Sequence, residues 1–442
     1  MLENQRETLY LFLKIQICSN LSIMKYFNSF ILVFLLSYSA FSQSLTFATP
    51  ESQGMSTQRL QRIDKVVNEY VEKSYTAGAV VLVARNGKIV YHKGLGFDDL
   101  ETKKAMPKDA IFRIASQTKA ITSVAVMMLY EEGKFLLDDP ISKYIPSFKN
   151  PVVLDKFNEA DSSYTSVPAK REITIRDLLT HTSGISYAGI GSREAVAIYA
   201  KNDIPSGIGT PNYTLKDAIN RLAKMPLIHN PGEKWSYGLN TDVLGYFVEV
   251  ISGTSFDVFL QERIFKPIGM NDTYFYLPES KFNRLTALNT EDKEKKVMKV
   301  SGNYGNYAKE KGTYFAGGAG LVSTAADYAM FLQMLLNGGK YKGQQLLGPV
   351  TVNMMIHNQI GDINVGNNKF GLGFSITTEK EAAKLPPSVG TFDWGGYFGT
   401  TYWADPKEGI IGLIMTQKVP NSYGDLSSKF KVLVYQAITK LN

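Results

Sequence analysis

Two β-hairpins, one near each end of the chain, constrain the fold more than any other feature of the sequence. The first spans 79–91, where two apolar runs flank Asn86-Gly87, a dipeptide that readily adopts the left-handed conformations of a tight hairpin turn. The second spans 397–415, with apolar runs on both sides of a turn-forming segment. We therefore predict that both ends of the chain contribute to one antiparallel sheet.

The predicted helices complete an α+β architecture. Ser56 can cap a helix with an apolar face, and a second amphipathic helix covers 426–438. We expect these terminal helices to pack on the sheet. Helical segments and long polar loops occupy the middle of the chain, so we predict a sheet lobe of about 43–135 plus 311–442 and an inserted, mainly helical lobe of about 136–310. A ligand would bind in the cleft between the lobes.

The N-terminal residues 1–42 are predicted to be an upstream extension followed by a secretory signal peptide, from about Met24 to Ser42. Lys25 precedes an apolar stretch that ends in small residues, which is the pattern of a cleaved signal, and the stretch is too short for a stable membrane span. The only cysteine, Cys18, lies in this segment, so the mature chain is predicted to contain no disulfide bond. We expect a secreted or periplasmic protein.

The composition of the predicted mature domain, 43–442, argues against several classes of function. The full chain has a formal net charge of +7 at pH 7. Its basic residues are spread out and form no stripe with interleaved aromatic residues, so nucleic-acid binding is not expected. The four histidines are scattered without the spacing of metal ligands. We expect neither a metal nor a cofactor, and the sequence leaves the oligomeric state open.

Ser116 and Lys119 are the strongest candidates for catalytic residues. A short apolar segment precedes them, and apolar residues at helical spacing follow over 121–129. Because positions i and i+3 are neighbours on a helix, the Lys119 amine can lie beside the Ser116 hydroxyl and accept its proton. Ser-x-x-Lys also begins at Ser22 and Ser428, but the first lies in the predicted signal segment and the second on the predicted solvated side of the C-terminal helix.

Two further segments fit the same chemistry. Tyr237 lies between a Pro-Gly turn and a predicted helix. A phenol near a Ser–Lys pair can act as a general base, although a buried structural tyrosine is the alternative. The run Trp394-Gly395-Gly396-Tyr397 combines glycines, which let the backbone approach a ligand closely, with a backbone N–H that could form half of an oxyanion hole. Its alternative is a glycine-rich turn beside a core tryptophan.

Together these motifs resemble the serine β-lactamase and penicillin-binding-protein superfamily, over about 50–440, and most closely its class C-like branch of family VIII esterases, D-stereospecific peptidases and amidases. The runs 178–184 and 317–327 also match that branch. The resemblance implies a β-lactamase/DD-peptidase-like fold. It also implies the roles of the site residues: Ser116 as the nucleophile, Lys119 as its activating partner, Tyr237 as the second general base, and the backbone N–H groups of Ser116 and Tyr397 as the oxyanion hole.

Two departures from the class C pattern bear on the substrate. Leu239 occupies the third position of the family's Tyr-x-Asn motif, with Asn240 one residue later, and Trp394-Gly395-Gly396 takes the place of its Lys-Thr-Gly strand. Loss of the strand lysine removes a charge-assisted contact to a substrate carboxylate, worth roughly 1.5–3 kcal/mol. We therefore predict that Trp394, Gly395, Gly396 and Asn240 contact the substrate, and that this substrate is a small neutral ester.

Other functions remain open from the sequence. The motifs do not exclude a D-amino-acid peptidase or amidase, or a weak β-lactamase, and a non-catalytic penicillin-binding-like sensor would keep the same fold. The intact set of Ser116, Lys119 and Tyr237 argues against the sensor. For either kind of enzyme, the partner is a small-molecule ester or a peptide-like substrate.

Overall fold

The computed structural model describes residues 45–209, 212–302 and 304–442. The predicted signal peptide and the motif at Ser22 lie outside the described residues. The described residues belong to one unit, Ser44–Asn442. The predicted boundaries between a sheet lobe and a helical lobe stay a prediction.

Strands and helices alternate irregularly along the described chain. The strands are β1 (Thr46–Phe47), β2 (Gly78–Arg85), β3 (Lys88–Asp99), β4 (Lys104–Ala105), β5 (Phe112–Arg113), β6 (Val152–Phe157), β7 (Tyr164–Pro168), β8 (Asn289–Glu291), β9 (Val297–Lys299), β10 (Val322–Ser323), β11 (Lys340–Tyr341), β12 (Gln344–Gln345), β13 (Lys369–Phe370), β14 (Ser375–Ile376), β15 (Phe392–Gly395), β16 (Thr400–Asp405) and β17 (Ile410–Met415).

The α-helices are α1 (Thr57–Leu60), α2 (Arg62–Glu72), α3 (Thr118–Glu131), α4 (Ile175–Thr180), α5 (Arg193–Lys201), α6 (Leu215–Leu222), α7 (Asn240–Ser252), α8 (Phe256–Leu260), α9 (Lys266–Ile268), α10 (Ala325–Leu336), α11 (Pro349–Met355), α12 (Glu379–Ala382) and α13 (Leu426–Tyr435). Shorter helical segments are Glu51–Gln53, Ala115–Gln117, Ile141–Lys143, Pro146–Phe148, Gln261–Phe265, Glu279–Arg284 and Asn306–Lys309.

The largest sheet joins the two ends of the described chain. Its strand order is β1-β3-β2-β17-β16-β15-β14-β13, with β4 beside β3. Strands β2 and β17 pair antiparallel from Val80 opposite Met415 to Arg85 opposite Ile410. Among the described strand pairs of this sheet, the short β1–β3 contact alone is parallel. The predicted antiparallel sheet is therefore confirmed.

Local sequence signals explain the two ends of this sheet. Asn86 and Gly87 have φ angles of 51° and 75°, so the turn between β2 and β3 is left-handed at both central residues, as its dipeptide predicts. Ser56 accepts a hydrogen bond from the Arg59 N–H at the start of α1. The second hairpin differs from the prediction: β16 begins at Thr400, and Tyr397 lies in the turn that joins it to β15.

Both faces of the sheet are covered, which explains why β2 is buried along its whole length. Val81 and Val83 belong to the hydrophobic cluster that includes residues of the terminal helices α2 and α13. Val80 and Leu82 point to the opposite face and belong to the cluster that includes α3 and α10. Alternate strand residues thus supply two separate cores, and the predicted packing of the terminal helices is confirmed.

The helix after Ser116 is more deeply buried than its sequence pattern indicates. The pattern predicts one apolar face, but every residue from Thr118 to Leu129 is buried. Some polar side chains on the remaining faces are bonded inside the protein: Thr122 donates a hydrogen bond from Oγ1 to the Gly317 carbonyl at 2.7 Å. Helix α3 is therefore the central helix of the fold, and Lys119 lies in its first turn.

Among the described helices, no single one is long and apolar enough to cross a membrane. The pair Asn240–Ser252 and Phe256–Ile268, which is bent by 82°, has the length and composition of a span only when the two helices are taken together. No group of three or more His, Cys, Asp or Glu side chains within 45–209, 212–302 and 304–442 is arranged to hold a metal ion.

Candidate active site

Ser116 lies in a tight helical turn between β5 and α3. The turn, Ala115–Gln117, is closed by a hydrogen bond from the Gln117 N–H to the Ile114 carbonyl at 3.1 Å. Ala115 has a φ of 42°, a left-handed conformation that costs a residue with a Cβ about 1–2 kcal/mol. The strained residue comes directly before Ser116, which lines a cleft of about 710 Å³.

Lys119 is held by three acceptors around its amine. Nζ donates to the hydroxyl of Tyr187 and to the carbonyl of Gly318, both at 2.8 Å, and to Ser116 Oγ at 3.4 Å. The side chain is only 2% exposed. Because an ammonium group has three donors, this arrangement fixes Nζ beside the serine hydroxyl, as the i, i+3 spacing predicts.

Tyr237 packs beneath the lysine amine. Lys119 Nζ lies 4.6 Å from the centre of the Tyr237 ring, and the Trp394 indole N–H donates to the Tyr237 hydroxyl at 3.4 Å. Tyr237 is in the loop before α7, as predicted, and its side chain lines the same cleft as Ser116. The structure therefore brings Ser116, Lys119, Tyr237 and Trp394 together, while the predicted role of Tyr237 as a base stays a prediction.

Tyr187 is a site residue that sequence analysis missed. Its hydroxyl is the acceptor at 2.8 Å from Lys119 Nζ, and its ring centre lies 5.2 Å from that of Tyr237. Burial and the neighbouring Tyr237 hold the pKa of Tyr187 well above its usual range, so the phenol stays neutral. Tyrosine is common in this chain, with 25 copies, so no local signal marked this one.

Asp242 is a second residue that the sequence did not reveal. It is fully buried in α7, and burial raises its pKa to about 6, with the charge of Lys119 acting in the opposite direction. A Cβ on Gly318 would lie 2.4 Å from Asp242 Oδ2 and 3.3 Å from Lys119 Nζ. Because Gly318 has no side chain, the Asp242 carboxyl group and the Lys119 amine can both lie close to its Cα. In the sequence, the Gly317-Gly318 run was the one sign of such close packing.

Asn240 does not fit its predicted role in substrate binding. It is fully buried; its amide Nδ2 donates to His181 Nδ1 at 2.8 Å, and its Oδ1 accepts from Ser183 Oγ. Burial and the Lys119 charge lower the pKa of His181 well below its usual range, so the imidazole is neutral and can accept. Both ends of the amide are thus occupied. Leu239 is also buried and does not line the cleft.

The glycine-rich segment brings β15 against the turn that carries Ser116. A Cβ on Gly396 would lie 2.3 Å from the Ile114 carbonyl oxygen, so only glycine allows this approach. Trp394 and Gly395 are in β15 and line the cleft, as does Tyr397. The backbone N–H of Tyr397 has no hydrogen-bond partner within the described residues. Its predicted place in an oxyanion hole stays a prediction.

The cleft around Ser116 has a volume of about 710 Å³ and a strongly aromatic lining. Among its described lining residues, none is Lys, Arg or His, and the acidic ones are Glu310 and Asp393. The aromatic lining residues are Tyr187, Tyr237, Tyr304, Tyr307, Trp394, Tyr397 and Phe398.

The Ser-x-x-Lys motif in α13 has a different environment. Ser428 is exposed, and Lys431 forms an ion pair with Asp393 at 3.1 Å. The hydroxyl of Ser428 therefore faces solvent, as the sequence pattern predicts. Of the two described motifs, the one whose serine lines the aromatic cleft is at Ser116.

Comparison with known proteins identifies the family. The model of the Beta-lactamase family matches residues 63–435. Esterase EstB of Burkholderia gladioli is 29% identical over 85% of this chain and 94% of its own length. A putative D-alanyl-D-alanine carboxypeptidase of Escherichia coli K12 is 28% identical over 86% of each chain. The solved structure of EstCE1, a hydrolase with promiscuous acyltransferase activity, superposes with a TM-score of 0.74 at 26% identity, over 86% of this chain and 99% of that one.

The fold and these relatives define a hydrolase of the β-lactamase and penicillin-binding-protein type. The chain belongs to the Beta-lactamase family and is a serine hydrolase with esterase and peptidase homologues. The resemblance and the fold class predicted from sequence are both confirmed.

Substitution of Lys119 and Tyr237, singly and together, tests the proton-transfer residues. We expect Lys119→Met and Tyr237→Phe each to lower kcat by at least about 10², the usual scale for loss of general acid–base catalysis. The fall in kcat of the double variant should be far smaller than the product of the two single falls, because the two residues act as a unit. Tyr276→Phe, which removes a hydroxyl bonded to the Tyr314 carbonyl, is the matched control. Near-normal kcat in Tyr237→Phe would show that this phenol is not the base.

The buried carboxyl group of Asp242 predicts a pH-dependent stability. The folded pKa of about 6 exceeds the ordinary 3.8, so the native state binds more protons between these values and loses stability as pH rises through them. The wild type should therefore lose about 2 kcal/mol more free energy of unfolding between pH 4 and pH 7 than Asp242→Asn. Urea unfolding at several pH values measures this, with the exposed Asp155→Asn as control. Parallel pH curves for wild type and Asp242→Asn would contradict the assignment.

Proposed function

We propose that the protein is a secreted or periplasmic esterase that hydrolyses small neutral esters through an acyl-enzyme on Ser116. The observation that carries the proposal is the aromatic cleft, whose described lining contains no basic side chain. A neutral ester pays little desolvation free energy on entering such a cleft. A charged substrate gives up its hydration there without forming an ion pair in exchange. Trp394 occupies the place where the resemblance expects a cation.

The proposed reaction begins at the Ser116 hydroxyl. The Lys119–Tyr237 pair begins one proton short, as amine with phenol or as ammonium with phenolate. As Oγ attacks the ester carbonyl carbon, its proton passes to this pair, whose Lys119 Nζ is 3.4 Å from Oγ. The carbonyl oxygen becomes an oxyanion, which the backbone N–H groups of Ser116 and Tyr397 stabilise. The proton then passes to the alkoxide, the alcohol leaves and an acyl-serine remains. Water, deprotonated by the same pair, hydrolyses the acyl-serine and restores the hydroxyl.

A peptidase acting on D-amino-acid peptides is the second candidate, supported by the E. coli relative named a putative D-alanyl-D-alanine carboxypeptidase. Such a substrate ends in a carboxylate. The acidic residues in the cleft lining are Glu310 and Asp393, without a basic lining residue among those described. Asp393 is already paired with Lys431 at 3.1 Å, so a free carboxylate would meet the charge of Glu310 and would find no basic partner in the described lining, which disfavours this candidate.

Turnover assays separate these functions. The purified protein is incubated with p-nitrophenyl butyrate, with D-alanine p-nitroanilide and with a D-Ala-D-Ala peptide, and Ser116→Ala is the blank. Continuous turnover of the butyrate alone supports the esterase. A burst of one equivalent without turnover would indicate a sensor, and activity confined to the D-amino-acid substrates would indicate the peptidase.

The proposed export rests on the basic, apolar and small-residue pattern from Met24 to Ser42. Expression of the full chain in a bacterium with a periplasm, followed by N-terminal sequencing of the periplasmic fraction, tests it. We expect the exported form to begin at Gln43. A protein that keeps Met1 and stays in the cytosolic fraction would contradict the proposal.

A further inference from the structure

The catalytic cleft reaches around an open edge of the sheet. Strand β14 pairs with β15 at Phe392 and Asp393, so on the side of β15 away from β16 no described strand lies beside Trp394 and Gly395. On this side the cleft lining includes Asp393 and Thr401.

Asp393 and Thr401 belong to the outer face of the sheet, which α13 covers. Asp393 pairs with Trp403, whose ring packs in the core formed with α13, and Thr401 lies two residues from Trp403 on the same face of β16. Tyr402, between them, points to the opposite core. The cleft therefore extends past the strand edge from the face that carries Ser116 to the face that carries α13.

A second groove begins where the cleft ends. It has a volume of about 390 Å³, and Thr401 lines both the groove and the cleft. Its apolar lining residues are Val66, Leu385, Pro386, Val432 and Leu433.

The groove presents apolar surface to solvent beside neutralised charges. Leu385 and Val432 are 45% and 48% exposed. The two lysines of the lining are ion-paired, Lys429 with Asp425 at 2.9 Å and Lys431 with Asp393 at 3.1 Å. This surface is apolar and open to solvent, and its neighbouring lysines are already paired, so the groove is suited to an apolar group.

We propose that this groove binds the alkyl chain of an extended ester substrate, which runs from Ser116 past Thr401 and lies between α13 and the segment at Leu385. The inference rests on the proposed esterase function and adds a substrate class, esters with a long unbranched apolar chain. Continuity with the cleft favours this occupant, because the groove and the cleft share Thr401 and the Asp393–Lys431 pair joins their linings. A flexible chain can follow the bend around the strand edge.

Kinetics with esters of two chain lengths test the groove. Leu385→Glu/Val432→Glu places two charges on exposed groove positions, and Val350→Glu/Leu441→Glu places the same charges on exposed apolar residues outside the clefts. We expect the ratio of kcat/KM for p-nitrophenyl decanoate over butyrate, or for decyl over ethyl acetate, to fall at least tenfold in the groove variant alone. An unchanged ratio in both series would overturn the proposal.

A binding measurement that needs no catalysis separates the subsite from the proposed function. In a Cys18→Ser background, which removes the only native thiol, Val432→Cys is labelled with a maleimide in the presence of decanol or butanol, and Val350→Cys is the control. Decanol should slow labelling at position 432 at least fivefold, and butanol should not.

The possible outcomes distinguish the two proposals. Protection by decanol without turnover of any ester would support the subsite while refuting the esterase. Butyrate turnover without protection or chain-length dependence would refute the subsite alone. A changed oligomeric state in the groove variant, with an unchanged chain-length ratio, would assign the groove to a second copy of the chain and overturn the proposal.

Discussion

Ser116→Ala is expected to lower kcat for p-nitrophenyl butyrate by at least about 10⁴, because the proposed covalent mechanism requires the Ser116 hydroxyl. The hydroxyl is the group to which Lys119 Nζ donates at 3.4 Å, and alanine removes it with little change in packing. Initial rates at saturating substrate measure the effect, and thermal unfolding checks that the variant folds.

Ser428→Ala is the matched control for this result, since the second described Ser-x-x-Lys motif begins with an exposed serine on α13. Its kcat should equal that of the wild type. Substantial activity in Ser116→Ala, or a loss in Ser428→Ala, would show that the nucleophile is misassigned.

The second large effect concerns substrate choice. We expect kcat/KM for a neutral short-chain ester to exceed that for a cephalosporin by at least about 10³. Loss of a charge-assisted contact to the lactam carboxylate accounts for about ten- to hundredfold, and apolar contact with Trp394 favours the ester further. Leu239 is buried outside the cleft, so it contributes nothing to this preference.

Trp394→Lys should improve cephalosporin hydrolysis and so lower the ratio of kcat/KM for the ester to kcat/KM for the cephalosporin. Assays with p-nitrophenyl butyrate and nitrocefin measure the two values. Trp394→Phe controls for loss of the indole N–H, which donates to the Tyr237 hydroxyl. Comparable hydrolysis of the two substrates by the unmodified protein would refute the esterase preference and favour a β-lactamase.

The features that sequence predicted are those that short segments encode. Asn86-Gly87 determines a turn by its own backbone preferences, and Ser56 caps α1 through a bond to Arg59 three residues away. The pairing of Ser116 with Lys119 follows from one helical turn. These interactions need no knowledge of distant parts of the chain.

The features that sequence missed depend on contacts between distant segments. Tyr187 meets Lys119 across 68 positions, and Gly318 accepts from the same amine across 199 positions. Asn240 matched a motif closely enough to be predicted as a substrate ligand, but its amide is bonded to His181 and Ser183. Only the fold decides whether such a polar residue faces a cleft or a core.

Sequence alone also does not identify β15 as a strand. Its four residues, Phe392 to Gly395, alternate apolar and non-apolar side chains, but so short a segment does not by itself distinguish a strand from the glycine-rich turn that the sequence left open. Pairing with β16 on one side and β14 on the other makes it a strand and places Trp394 against Tyr237.

Covalent labelling tests the central claim, that Ser116 is the nucleophile of a serine hydrolase, most directly. The protein is treated with a fluorophosphonate, and intact mass and peptide mapping locate the adduct. The account predicts one adduct per chain, on the peptide that contains Ser116, its loss in Ser116→Ala, and its retention in Ser428→Ala. An adduct at Ser428, or labelling of Ser116→Ala at the wild-type rate, would contradict it.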